Sequence, residues 1–144
     1  MNKVNIKKAI AIMERAKRHD SLFMPYWQMA SPNNPLKFVD NEQDLHTCGN
    51  RACFAGHVAV SPEFQMDGGS VTCEGEPRLG GRYGAYAIQD WLQISQEDAR
   101  GLVFGNAYGS PCDPKDRSHY YGKMFRDVTA RDVIAKLEQL LERA

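Results

Sequence analysis

The sequence predicts a mainly α fold: four or five helices around one core, two long loops, and room for one small β-hairpin. Three observations predict it. Apolar residues recur at spacings of three and four in several segments. The segment nearest the C-terminus opens on a capping sequence. Glycine- and proline-rich stretches separate the periodic segments. At 144 residues the chain fits a single domain, 1–144. A chain of this size needs no metal or disulfide staple to fold.

In chain order, residues 4–18 place Ile6, Ala9, Ile10, Met13 and Ala16 on one helical face. Asn5 is a candidate cap, and His19-Asp20 ends the helix. Leu22, Phe23, Met24, Tyr26 and Trp27 surround Pro25, which argues against a long helix. An extended segment or short turn anchoring large side chains in the core is expected there. Residues 30–35 read as a loop, and 36–39 as a short strand or single turn.

A helix is expected over 50–60, stopped by Ser61-Pro62. Ala52, Ala55, Gly56 and Ala59 make it a stripe of small residues. Glycine inside a helix costs about 1 kcal/mol relative to alanine, so Gly56 should have a packing reason. The glycine-rich stretch 65–84 reads as a long loop, equally a small hairpin with 70–73 as one strand or an irregular excursion. Residues 83–92 read as a helix with Tyr83, Tyr86, Ala87 and Trp91 inward. Ser95 caps the next helix, with Glu97 and Asp98 in its first turn and Gly105 as its stop. Residues 106–118 form the second long loop. The last helix, over 129–141, starts on Thr129 with Asp132 three residues on. Val133, Ile134, Leu137, Leu140 and Leu141 form its apolar stripe.

Composition narrows the function. Hydrophobic residues are 42% and charged residues 25%, an ordinary globular balance. Lys plus Arg and Asp plus Glu are equal at 18 each. Nucleic-acid binding is therefore disfavoured, because neutralising phosphates calls for a basic excess. The basic face of the first helix, with Lys3, Lys7, Lys8, Arg15, Lys17 and Arg18, reads as a solvated surface. No apolar run suits a signal peptide or a membrane span. A cytoplasmic protein with reduced thiols is expected.

The densest chemistry is His46-Thr47-Cys48-Gly49-Asn50-Arg51-Ala52-Cys53-Phe54-Ala55-Gly56-His57, which holds two of the four cysteines and two of the four histidines. Three chemical readings stand beside plain packing. His46, Cys48, Cys53 and His57 are zinc-type ligands, with Cys73 or Cys112 as alternative distant partners. Cys48, at the expected helix start, is a candidate catalytic thiolate with His57, His46 or His119 as base. Cys48 and Cys53 can pair as a disulfide only if the first turn is tight or irregular. In the packing reading the cysteines are buried small residues and the histidines ordinary polar groups. No nucleotide-binding loop is present.

The core Cys48-Gly49-Asn50-Arg51-Ala52-Cys53-Phe54-Ala55-Gly56-His57 resembles a motif of small, uncharacterised bacterial and phage proteins. That family reads Cys-Gly-Thr-x-Ala-Cys-x-Ala-Gly and then Trp or His. Asn50 stands where the family has Thr. Flanking features follow in similar order: Phe23-Met24-Pro25-Tyr26-Trp27, 87–92, Val103-Phe104-Gly105 and 129–141. The resemblance implies no activity; it implies a phage or mobile-element accessory role.

The expectation is a non-enzymatic protein that binds another protein, through loops 65–84 and 106–118. No cofactor is expected, zinc being the alternative. Oligomeric state is left open. The competing class is a thiol- or zinc-dependent enzyme, or a zinc-binding domain, centred on residues 48–57.

Overall fold

A computed structural model describes residues 1–29, 38–47, 50–104 and 127–144. These residues form a mainly helical protein with a three-stranded antiparallel sheet, as the periodicity predicts. The expected loop 106–118, with Cys112 and Gly105, lies outside the described residues, as do Cys48 and His119.

Helix α1 spans Lys3–His19. Asn2, not Asn5, caps it: the Asn2 side chain accepts from the Asn5 N–H at 3.0 Å. Asn5 lies inside the first turn, and its side-chain amide donates to the Trp91 carbonyl at 2.8 Å. Asp20 ends the helix in the left-handed region, at φ 48°. Helix α2 (Glu42–Thr47) is short and has no apolar periodicity of its own. It is tied to α1 by Arg15, which holds Glu42 at 2.8 Å.

The predicted helix over 50–60 begins later, as α3 at Phe54–Val60. The reason is backbone pairing. Arg51 exchanges hydrogen bonds with Met29, and Ala52 pairs beside Leu22. Residues bonded in this way cannot enter a helical ladder. Ser61-Pro62 stops α3 as expected and also starts α4 (Pro62–Met66). Proline suits a first helical position, where its missing N–H would be unpaired anyway. Arg15 also reaches Glu63 of α4, at 2.6 Å, so one guanidinium joins α1, α2 and α4.

The stretch 65–84 is ordered into β1 (Ser70–Val71), β2 (Pro77–Leu79) and β3 (Arg82–Tyr83), in the order β1-β2-β3. The expected strand over 70–73 is thus only two residues long. Gly80-Gly81 joins β2 to β3 with φ of 57° and 80°. Both values are positive, as a two-residue hairpin turn whose twist matches its strands requires. Helix α5 starts at Ala85 rather than Tyr83 and runs Ala85–Leu92. Tyr83 and Tyr86, expected inward, are 44% and 50% exposed. Strand pairing places Tyr83 beneath the Arg78 guanidinium at 5.5 Å, and Tyr86 lies beneath Arg82 at 4.8 Å.

Helix α6 (Gln96–Phe104) opens on Ser95, whose hydroxyl accepts from the Asp98 N–H at 3.0 Å. Helix α7 (Ala130–Arg143) has the predicted reciprocal cap: Asp132 N–H to Thr129 Oγ1 at 3.3 Å, and Thr129 N–H to Asp132 Oδ2 at 2.9 Å. Ile6, Ala9, Met13 and Ala16 of α1 share a core with Val133, Leu137 and Leu140 of α7. Phe54, Phe64, Ile88, Leu92 and Leu102 complete it. Among the described residues, no helix is long and apolar enough to cross a membrane.

Candidate functional site

The stretch 51–57 acts on one neighbour, the segment 21–29. Ser21 O accepts from Ala52 N–H at 3.0 Å, and Phe23 N–H donates to Ala52 O at 2.8 Å. Cys53 N–H donates to Tyr26 O at 2.8 Å. Met29 and Arg51 bond each other in both directions, at 2.6 and 2.9 Å. The Trp27 carbonyl lies against Gly56, where a β-carbon would overlap it. That is the packing reason the sequence asked of Gly56. A proline-bearing segment cannot use a helical ladder, so its polar groups are satisfied from 51–57 instead.

His57 closes one end of this clamp. It is fully buried, and its Nε2 lies 3.0 Å from Ser21 O. A carbonyl can only accept, so Nε2 carries the proton. The Ser21 hydroxyl lies 3.5 Å from His57 Nε2 and 3.3 Å from His46 Nδ1. His46 stacks on His19 with centroids 4.0 Å apart, and lies 6.0 Å from the His57 ring. Three histidines thus run from surface to core. Burial lowers the His57 pKa to about 4 against the pull of the Ser21 carbonyl, helped by His46 and Arg15. Burial also lowers His46 to about 4, with electrostatic repulsion from neighbouring His19 and Arg15 adding to it. Both rings are neutral at pH 7. Among the described residues, nothing bonds His57 Nδ1 or His46 Nε2.

Cys53 closes the other end. It is the N-cap of α3, not a residue one turn inside, and its Sγ accepts from the Gly56 N–H at 3.3 Å. It is a free thiol. Helix N-termini usually acidify a thiol, but here burial wins and pushes the Cys53 pKa up to about 12. This side chain lines a cleft of about 300 Å³ together with Met24, Pro25, Tyr26, Trp27, Val103 and Phe104. None of those residues is charged and none is a histidine. Tyr26 and Phe104 are 57% and 51% exposed, so the expectation that this aromatic segment only anchors the core holds for Met24 and fails for Tyr26. The Trp27 and Phe104 rings meet edge-on, with centroids 6.5 Å apart. The Trp27 ring also abuts Gly84, where a β-carbon would lie 3.4 Å from it.

Of the sequence-predicted site residues, His46 and His57 come together around Ser21. Cys53 turns instead to the aromatic cleft. Cys48 lies outside the described residues. Cys73 is exposed and lines a separate cleft with Asp40 and Asp44. Among the described residues, no group of three or more His, Cys, Asp or Glu side chains is arranged to hold a metal ion. Sequence reasoning missed Ser21 as the hub of the histidine row and Phe104 as a cleft wall. Neither carries a sequence signal, because both roles arise from contacts distant along the chain.

No family model, curated protein or solved structure matches this chain.

Proposed function

We propose that this protein works by binding another protein, and that the contact surface is the aromatic cleft held by the clamp. The observation carrying this reading is the exposure of Tyr26 and Phe104 around a cleft whose described lining residues are all uncharged, on a backbone fixed by hydrogen bonds. Aromatic residues on a pre-ordered scaffold are typical anchors of protein interfaces, since little entropy is lost when they are covered. The stretch 65–84 extends the surface: Gly84 abuts Trp27, and Arg78, Arg82, Tyr83 and Tyr86 are exposed beyond it. Tyr and Arg are enriched at binding hot spots.

A protonated Cys53 thiol, with no histidine among the described residues lining its cleft, supports binding over thiol catalysis at that residue. The resemblance to small bacterial and phage proteins supports an accessory role in the cytoplasm of a host cell.

The test is capture of partners by the tagged full-length chain, compared with the Tyr26→Ala/Phe104→Ala double variant. The reading expects a protein held by the wild type and lost from a variant of unchanged fold. Equal capture by both would remove the cleft from the reading.

A further inference from the structure

We draw no further inference here: the strongest candidate, the side-chain cluster of His19, His46 and His57 that runs from the end of α1 to the core around Ser21, belongs to the site already described, and the acid sensitivity that its burial gives points to no ligand or partner.

Discussion

The Trp27 carbonyl oxygen rests on the bare α-carbon of Gly56. That contact joins the most conspicuous part of the sequence to the segment that carries exposed Tyr26. Ala52 and Cys53 hold the same segment through backbone bonds, and His57 holds it by its ring. Under the proposed reading, the stretch 51–57 shapes a binding surface.

Gly56→Ala should therefore be costly. The added methyl meets backbone, which cannot rotate away, so the clamp must open. Overpacking of this kind costs typically 1–3 kcal/mol and sometimes more, and the upper end is expected here. Urea unfolding measures it. A change within about 0.5 kcal/mol, as for an ordinary surface substitution, would refute the contact.

Stability should fall with acid in a window set by the histidines. His57 and His46 bind protons more tightly in the unfolded chain, near 6.5, than in the folded protein, near 4. Their contribution is full above about pH 6.5 and is lost as pH drops towards 4. For fully buried His57 the loss is on the order of 3 kcal/mol; half-buried His46 adds less, owing to solvent. Asp67, held low by Lys8 and the Trp91 indole, acts only at more acidic pH. Urea midpoints between pH 7 and 4.5 check this, and His57→Gln should flatten the slope. A flat wild-type profile would contradict it.

Thiol labelling should separate two cysteines. Exposed Cys73 should react freely with iodoacetamide at pH 8. Cys53 should react at least a hundred-fold more slowly, on the order expected for a buried and protonated thiol. Peptide mapping by mass spectrometry reads both sites in one sample. Comparable rates would show that Cys53 is accessible and ionised.

Thr129→Ala should cost about 1 kcal/mol, because it breaks the reciprocal cap with Asp132 that opens α7. Thermal unfolding measures the loss. An unchanged midpoint would mean that core packing alone fixes the start of that helix.

The sequence made legible what local rules govern. Helices α1, α6 and α7 follow from apolar spacing, and their ends from Ser95 and the Thr129–Asp132 pair. The later start of α3 was not legible, because Arg51 and Ala52 are drawn out of the helix by partners more than twenty residues away, Met29 and Leu22. Helices α2 and α4 were missed for a similar reason: Arg15 fixes them from α1. Tyr83 and Tyr86 read as core because their spacing is helical. Cation–π stacking on Arg78 and Arg82 keeps them at the surface instead. At the site, the cluster of ligating residues was plain, but which way each one faces was not. Cys53 and His57 sit four residues apart and serve opposite ends of the clamp.

Amide hydrogen exchange on the native protein tests the clamp most directly. The account predicts that the N–H groups of Phe23, Met29, Arg51, Ala52 and Cys53 are protected to a degree approaching those in the middle of α1 and α7. Exchange of these five at free-peptide rates, with α1 and α7 still protected, would contradict it.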